Sequence, residues 1–384
     1  MKEIKAILAA WKTYKNQQEE IFLSTIVKTK GSTYRQAGAR MLITSSGAMI
    51  GSISGGCLEK DILEHTRVSI TENSPILVTY DTTADEDIIW GFGLGCNGVV
   101  NVLIEKLDPN DCLNPLQFID YCLKIQRPGI IATIFNVEGA VNSKVGKRLT
   151  VILDDQVKTD IKDNNLSFTL LKDAQTCLQN QQSSVYCYQF PQGKIDVFME
   201  LIKPPPNLII FGAGRDVIPV VELAKILGWN ITIFDCRGSQ ETKKRFIMVD
   251  EIILTRRDIL HKQISVNDDT VVIVMTHNYL DDLEILKLLI PSQIKYLGCL
   301  GSKQRKERLL QDLQNQGSNY SPEMLEKLYA PIGLDIGAET PEAIALSIVT
   351  EIQAILTNRQ GGFLKQRLQP LHVPNQVRKV QLGN

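Results

Sequence analysis

The sequence predicts an α/β protein, with an N-terminal α+β domain containing a mixed sheet and a C-terminal Rossmann-like domain containing a parallel sheet. Three observations support this fold class. At 384 residues the chain is too long for a single ordinary hydrophobic core. Pro204, Pro205 and Pro206 form a stiff connector, because three prolines cannot continue a central strand. Strands and helices alternate regularly only after these prolines. The predicted domains are 1–203 and 207–357, joined by the linker 204–206 and followed by a basic tail, 358–384.

The composition is that of a soluble globular protein, with 43% hydrophobic and 22% charged residues. A formal net charge of −1 gives no bulk electrostatic argument for binding nucleic acid or an acidic membrane. No apolar run reaches the length of a membrane span, and residues 1–15 read as an amphipathic helix rather than a signal peptide. We therefore expect a cytoplasmic protein whose eight cysteines are reduced.

Hydrophobic periodicity predicts the elements of the first domain. Apolar residues recur at helical spacing through 1–15, and β-branched or apolar runs predict the strands. The predicted strands are 21–28, 41–44, 49–51, 76–80, 99–105, 130–135, 148–153, 185–189 and 195–202, and the other helices are 58–67, 114–126 and 171–181. The recognisable motifs lie within about 20–105, and the middle of the chain carries none.

The first candidate site is the Gly55-Gly56-Cys57 turn, which comes directly before a predicted helix. A helix N-terminus favours an anion, so a thiolate forms more easily there, and glycines let a ligand approach the backbone. The alternative is a small packed thiol beside a tight turn, since free cysteine is among the most buried residue types.

Two further segments extend this candidate site. Cys96 lies in a second glycine-rich segment that leads into the strand 99–105, and the loop after the first strand carries Arg35 and Arg40. The remaining first-domain cysteines have neither glycine-rich surroundings nor spaced partners, so we interpret them as structural. No C-x-x-C pair indicates a zinc site, and Cys57 has no obvious histidine base for a thiol hydrolase.

The second domain follows the pattern of a dinucleotide-binding fold. A buried strand, 207–211, leads into Gly212-Ala213-Gly214 and a helix, and the next strand ends in Asp235, where ribose hydroxyls would bind. Val217 stands where the third glycine of the motif belongs, which weakens the case for bound NAD more than the case for the fold. The predicted strands continue at 231–234, 251–254, 270–275 and 295–299, and the helices at 217–228, 280–289, 302–315 and 341–356.

Polar residues follow the later strands of this domain, at the sheet edge where open α/β sheets bind ligands. His277 comes at the end of the fourth strand, and Gly298, Gly301 and Ser302 make a second candidate anion pocket at the fifth. A lone histidine is more often a hydrogen-bonded structural residue than a catalyst, so both interpretations of His277 stay open.

Several motifs in one order resemble the XdhC/CoxI family of xanthine dehydrogenase accessory proteins. GSTYRQAGARMLI, GSISGGCLEKDI and GLGCNGVV resemble its N-terminal domain. IIFGAGRDVIPVVELAKILGWNITIFDCR, VMTHNYLDD, YLGCLGSKQRKERL and APIGLDIGAETPEAIALSIVTEI resemble its C-terminal Rossmann domain. The resemblance covers about 31–105 and 207–357.

This resemblance implies a molybdenum cofactor (molybdopterin) chaperone rather than a metabolic enzyme. Members protect the cofactor while a cysteine desulfurase helps to install its sulfido ligand, and then deliver it to a xanthine dehydrogenase-type apoenzyme. It assigns Cys57 as the first candidate molybdenum ligand and Cys96 as the second, with Arg35 or Arg40 holding the pterin's phosphate. The family also suggests a homodimer, which no residue pattern in this sequence indicates.

Two other functions remain open at this stage. One is an NAD(P)-dependent oxidoreductase that uses Gly212, Gly214 and Asp235, with His277 as the acid. The other is a regulatory nucleotide-binding module that uses the same domain.

Overall fold

The structure, a computed structural model, describes residues 1–72, 74–82, 98–152, 157–238, 240–368 and 377–382. The chain divides into two compact units. The N-terminal unit comprises Glu3–Pro204 with the described part of Gln369–Asn384, and the C-terminal unit comprises Met1–Lys2 and Pro205–Leu368.

The N-terminal unit is built from two halves with the same order of elements. The first half contains α1 (Lys2–Asn16), β1 (Ile21–Gly31), β2 (Arg40–Thr44), β3 (Met49–Gly51), α2 (Glu59–Glu72), β4 (Ile76–Asp81) and β5 (Gly98–Lys106). The second half contains α3 (Pro115–Ile125), β6 (Gly129–Gly139), β7 (Arg148–Ile152), β8 (Lys158–Thr159), α4 (Asn164–Gln179), β9 (Ser184–Phe190) and β10 (Gly193–Ile202). Each half forms one antiparallel sheet, ordered β3-β2-β1-β5-β4 in the first and β8-β7-β6-β10-β9 in the second.

The strand registers of the two halves correspond residue by residue. Thr25 pairs with Arg40 in the first sheet, and Thr133 pairs with Arg148 in the second. A register shift between Ile26 and Lys28 has its counterpart in the second sheet, between Asp196 and Val197 of β10. We conclude that the N-terminal unit is an internal duplication, which the sequence prediction missed.

The sequence carries traces of this duplication. The segments GSTYRQAGAR (31–40) and GAVNSKVGKR (139–148) share two glycines and an arginine at the same spacing, and all four glycines have positive φ. GVVNVLIEKL (98–107) and GKIDVFMELI (193–202) share a glycine, a valine and a glutamate. A Cβ at Gly98 or Gly193 would lie within 3 Å of a backbone carbonyl oxygen of the neighbouring strand, so the shared glycines permit a close approach.

Four layers build the N-terminal unit. α2 packs on the outer face of the first sheet and α4 on the outer face of the second. The inner faces meet around Val27, Leu103, Phe135 and Phe198, and α1 and α3 pack together with residues of both sheets.

Two buried ion pairs join the halves. Arg40 of β2 pairs with Glu200 of β10, and Arg148 of β7 pairs with Glu105 of β5. Each arginine belongs to one half and its glutamate to the other, at corresponding positions.

Part of the predicted basic tail, 358–384, forms a strand, which the sequence did not predict. Val377–Gln381 forms strand β17, which pairs in parallel with β9 and makes the second sheet a mixed one. Arg378 donates to the Tyr186 hydroxyl across this contact.

The C-terminal unit has the predicted Rossmann topology. Its strands are β11 (Asn207–Phe211), β12 (Asn230–Asp235), β13 (Glu251–Leu254), β14 (Thr270–Val274), β15 (Tyr296–Cys299) and β16 (Leu328–Tyr329). Its helices are α5 (Val217–Ile226), α6 (Gln240–Arg245), α7 (Tyr279–Leu289), α8 (Lys303–Asn315), α9 (Pro322–Leu325) and α10 (Pro341–Leu356), with short 3-10 helices at Arg257–Lys262 and Leu364–Gln366. The parallel sheet has the order β13-β12-β11-β14-β15-β16. Helices cover both faces, and each face has its own apolar core.

Most differences from the predicted boundaries concern short or weakly patterned elements. α4 starts well before residue 171, because Asp163 caps it by accepting a hydrogen bond from the Leu166 N–H. The short elements β8, α6, α9 and β16 were not predicted. Within the described ranges, we find no helix with the length and hydropathy of a membrane span.

Candidate functional site

Three connections leave the first sheet at one end. β1 and β3 end there at Gly31 and Gly51, and β4 ends there at Asp81, while β2 and β5 begin there. The connections 32–39 and 52–58 are described, and both described ends of the third, Thr82 and Gly98, hydrogen-bond to each other. The sheet thus brings together the loops that carry Arg35 and Cys57.

Direct contacts join the two described loops. Glu3 of α1 accepts two hydrogen bonds from Arg35, at 3.2 and 2.5 Å, and one from the Ser52 N–H at 2.9 Å. The exposed Tyr34 ring lies against Gly55, where an added Cβ would be 3.6 Å from the ring. An aromatic ring therefore lies beside one side of the glycine turn.

Cys57 is exposed and lies two residues before the first residue of α2, close to the predicted helix start. Ser54 organises this turn, because its Oγ accepts from the N–H groups of Gly56, Cys57 and Leu58 at 3.0–3.2 Å. These N–H groups are therefore committed to a hydroxyl.

Glu59 fixes the other side of the same turn. Its carboxylate accepts from the Ser52 and Ser54 hydroxyls and from the N–H groups of Ile53 and Ser54. Although partial burial raises the pKa of Glu59, these hydrogen bonds dominate and lower it to about 2. Neither Ser54 nor Glu59 was singled out from the sequence, because the usual capping signature places the glutamate three positions after the serine and here the spacing is five.

The glycines of the turn leave its backbone accessible. Gly55 and Gly56 are both exposed. Gly56 has φ of +109°, which disfavours any side chain, and no atom lies within 4 Å of an added Cβ there. The turn thus presents an exposed thiol beside open backbone.

The two candidate arginines have different environments. Arg35 is partly exposed and shares its guanidinium with Glu3. Arg40 is only 7% exposed, donates to the Gly38 carbonyl and pairs with Glu200. The prediction that Arg40 holds a phosphate is therefore corrected, because its guanidinium is committed to a buried carboxylate. Cys96, the second candidate cysteine, lies outside the described residues.

The C-terminal unit has a cavity of about 360 Å³ at the carboxyl ends of its central strands. Gly212, Gly214, Asp235 and His277 all line it, so four of the predicted site residues converge. Gly212 has φ of +118°, and an added Cβ would lie 2.2 Å from the Met275 carbonyl oxygen. A residue with a side chain therefore does not fit at this position.

Asp216 changes what the glycine loop can bind. It is the N-cap residue of α5, yet makes no side-chain cap hydrogen bond. Its carboxylate instead bonds His277 Nε2 at 2.8 Å, and an added Cβ on Gly214 would lie 2.3 Å from its Oδ1. A carboxylate thus lies beside the second glycine of the motif, and its negative charge disfavours the pyrophosphate of NAD there. The sequence did not lead us to this role of Asp216.

Asp235 is also engaged within the protein. Its carboxylate accepts from the Arg237 N–H and from the Thr242 hydroxyl, both at 3.0 Å. Two arginines line the same cavity, with Arg245 donating to the Ala213 carbonyl and Arg237 to the Thr276 carbonyl. A nucleotide in this unit stays a prediction.

The second predicted anion pocket is only partly assembled. Gly301 and Arg305 line a neighbouring cavity of about 230 Å³, which also contacts His277. Ser302 caps α8 by accepting from the Arg305 N–H, and Arg305 pairs with the buried Asp282 at 2.6 Å. Gly298 is buried in β15, where an added Cβ would lie 2.3 Å from Ile332, so it serves packing.

Most of the other described cysteines are less exposed than Cys57. Cys122, Cys177, Cys187 and Cys299 are buried, as the structural interpretation predicts for the first three, whereas Cys112 is exposed. Burial raises the pKa of Cys299 to about 12. In the described part of the chain, His, Cys, Asp and Glu side chains form no group of three that could hold a metal ion.

Comparisons with known proteins match both units. A family model described as the XdhC and CoxI family matches residues 15–81, and one described as the XdhC Rossmann domain matches residues 208–352. A Bacillus subtilis (strain 168) protein, named as a probable subunit of xanthine dehydrogenase, is 31% identical over 344 residues, 87% of this chain and 93% of that protein. The Escherichia coli (strain K12) molybdenum cofactor insertion chaperone PaoD is 22% identical over 345 residues, 88% of this chain and 84% of its own.

A crystal structure titled as a xanthine dehydrogenase from Bacillus halodurans has the same fold. It superimposes with a TM-score of 0.73 at 30% identity, covering 93% of this chain and 98% of that chain. The predicted fold class and the family resemblance are both confirmed.

Proposed function

This chain belongs to the XdhC and CoxI family, and on that premise we propose that it is an accessory protein that matures a xanthine dehydrogenase-type molybdoenzyme. It binds molybdenum cofactor as cargo at the loop end of the first sheet, protects it during sulfuration and delivers it to the apoenzyme. The observation that carries this proposal is the exposed Cys57 thiol on an open glycine turn, held by Ser54 and Glu59.

The donor chemistry of this turn suits the proposed cargo. A thiolate is a soft ligand, which fits molybdenum and sulfur chemistry. The bare backbone at Gly56 leaves room for a bulky group beside the thiol. The Tyr34 ring offers a flat, partly apolar surface against which a pterin could stack.

Arg35 is the residue that we propose for the cofactor's phosphate. It lies in the loop that contacts the glycine turn, and its side chain is 29% exposed. Because Glu3 already pairs with it, a phosphate would bind by sharing or displacing that carboxylate. Cys96 is retained as a second candidate ligand, on its place in the sequence alone.

We propose no hydride-transfer activity for the C-terminal unit. Val217 replaces the third glycine of the dinucleotide motif, and the Asp216 carboxylate lies beside Gly214. Both features oppose a dinucleotide, so an accessory role is favoured over an NAD(P)-dependent oxidoreductase. The proposed partners are the apoenzyme and a cysteine desulfurase, with a homodimer and a cytoplasmic location as further expectations.

One experiment tests the role of Cys57. Wild type, Cys57→Ala and Cys112→Ala are purified from a molybdate-fed host, and their molybdenum and pterin contents are measured. We expect Cys57→Ala to lose at least tenfold of its cofactor and of its ability to activate apo-dehydrogenase. Cys112→Ala removes the other exposed described thiol of the same unit and should keep both.

Equal cofactor content in wild type and Cys57→Ala would refute the proposed ligand. The maturation role itself is tested by the composition of the finished enzyme. We expect purified mature dehydrogenase to lack this protein, because a chaperone dissociates after it delivers its cargo. Stable stoichiometric incorporation into the enzyme, which the name of the Bacillus subtilis relative suggests for that protein, would contradict our proposal.

A further inference from the structure

The N-terminal unit has a cavity of about 760 Å³, and no residue of the Cys57 turn lines it. It lies between α1 and α3 and is lined by residues of both halves, among them Trp11 and Phe118. Trp11 packs in the same cluster as Ile21 at the start of β1. Ile7, one helical turn before Trp11, lies beside Gly51, where the Cys57 turn begins, but no residue of 52–58 lines the cavity.

The described lining of this cavity is basic. Among the described residues it contains Lys12, Lys15, Lys124 and Lys158 and one carboxylate, Asp120. Lys12 and Lys124 both pair with Asp120, at 2.6 and 2.7 Å, so one negative charge serves two ammonium groups. Lys15 donates to the Pro109 carbonyl oxygen at 2.9 Å, an acceptor without formal charge. A concave surface with this excess of positive charge attracts anions.

A buried donor also lacks an acceptor here. Trp11 is 4% exposed, and its indole N–H has no hydrogen-bond partner among the described residues. Buried N–H groups are nearly always satisfied, so an oxygen atom that reached this donor from the cavity would complete its hydrogen bonding. The remaining walls include the rings of Phe118 and Tyr121, which offer apolar contact to a flat molecule.

We propose that this cavity binds a phosphorylated heteroaromatic molecule of the nucleotide class. The lysines supply point charges for the phosphates, and the aromatic walls accommodate the ring. A volume of about 760 Å³ lies within the usual range for small-molecule sites. The site uses none of the residues proposed for the molybdenum cofactor, so the two proposals succeed or fail separately.

Calorimetric titration of the full-length protein with ATP, GTP and CTP tests the proposal, with inorganic pyrophosphate as the probe that lacks a ring. We expect at least one nucleotide to bind at least tenfold more tightly than pyrophosphate.

The triple variant Lys12→Ala/Lys124→Ala/Lys158→Ala should weaken that nucleotide binding at least tenfold. Lys158→Glu alone, at an exposed position of β8, should weaken it severalfold without disturbing Asp120. Trp11→Phe, which removes the N–H but keeps a ring, should also weaken it severalfold.

Two controls separate this site from the rest of the protein. Lys144→Ala/Lys172→Ala/Lys194→Ala removes three lysines of the same unit that do not line the cavity, and Arg245→Ala alters the Rossmann cavity. Both should bind the nucleotide as wild type does. The proposal is overturned if no nucleotide exceeds pyrophosphate, if the control lysines matter as much as the lining ones, or if Arg245→Ala abolishes binding.

Discussion

In the first half of the N-terminal unit, residues 52–58 connect β3 to α2 and residues 82–97 connect β4 to β5. In the second half the same two connections are shortened to residues 160–163 and 191–192. Strand order, register and the bulge position are shared by the halves. Cys57 and Cys96 both lie in the longer connections, and the shorter ones contain no cysteine.

The shared elements stabilise the unit, whereas the longer connections of the first half carry the residues that could contact a ligand. The sheets and the buried ion pairs occur twice and need no cofactor to explain them. The extended connections occur once, at one sheet end, and carry the candidate chemistry. When the residues that bind a ligand lie on loops, the sheets that support those loops can keep the same structure in both halves.

The strongest test of the equivalence of the halves is to break each buried ion pair. Arg40→Met leaves Glu200 buried without its partner, and Arg148→Met does the same to Glu105. We expect each to lower the free energy of unfolding of the N-terminal unit by about 3–5 kcal/mol. The measurement is hydrogen exchange of the amides in β1 and β6, which reports this unit within the full chain.

Two comparisons sharpen that result. Arg67→Ala breaks an exposed pair with Glu64 and should change stability by less than about 1 kcal/mol. Arg40→Met combined with Glu200→Leu removes both charges and should restore much of the loss. A large effect of one arginine and a negligible effect of the other would show that the halves are not equivalent.

A loop exchange tests the functional side of the comparison. Replacing residues 52–58 by the residues of 160–163 gives the first half the connection of the second, including an aspartate cap and a buried isoleucine. We expect the unit to stay folded with a loss of about 1–3 kcal/mol, because Ile53 and Leu58 lose their packing. Molybdenum and pterin content of the purified protein should fall as far as in Cys57→Ala.

Cys57→Ser in the intact loop is the matched control for this exchange. It keeps the shape of the turn and removes only the thiol, so any cofactor that it retains measures the contribution of the loop. Full cofactor retention after the exchange would mean that the longer connection is not the binding site.

The sequence predicted the local structure well because local patterns determine it. The triproline, the apolar strand runs and the first glycine turn of the Rossmann unit are all features of neighbouring residues. The duplication was missed because its evidence is a correspondence between distant segments, such as 31–40 and 139–148, and periodicity within a short window does not detect it. β17 escaped prediction for the same reason, since only its partner β9 makes it a strand.

Site prediction failed where the partner of a residue is remote in sequence. Arg40 looked like a phosphate ligand because its loop carries glycines and hydroxyls. Its carboxylate partner Glu200 lies 160 positions away and only the fold reveals it. The Gly55-Gly56-Cys57 turn, in contrast, was identified from adjacent residues, and its hydrogen bonds to Ser54 and Glu59 are equally local.

The smallest expected effect concerns Glu59, whose hydrogen bonds to the turn have no counterpart in the second half. Its pKa of about 2 in the folded protein lies below the usual value, so its stabilisation is fully present above about pH 4.5 and is lost as the pH falls through 2. Glu59→Gln should therefore reduce the free energy of unfolding at pH 7 by no more than about 1 kcal/mol, given the partial exposure of this group. The difference in the free energy of unfolding between wild type and Glu59→Gln should shrink steadily between pH 4.5 and pH 2.

Asp163→Asn, which keeps a cap acceptor at the corresponding helix of the second half, should change stability by only a few tenths of a kcal/mol at pH 7. Because the Glu59 hydrogen bonds orient the turn that carries Cys57, cofactor content measured on the same Glu59→Gln samples should fall, whereas Asp163→Asn should leave it unchanged. A difference between wild type and Glu59→Gln that stayed constant down to pH 2 would mean that the ionised carboxylate does not hold the turn.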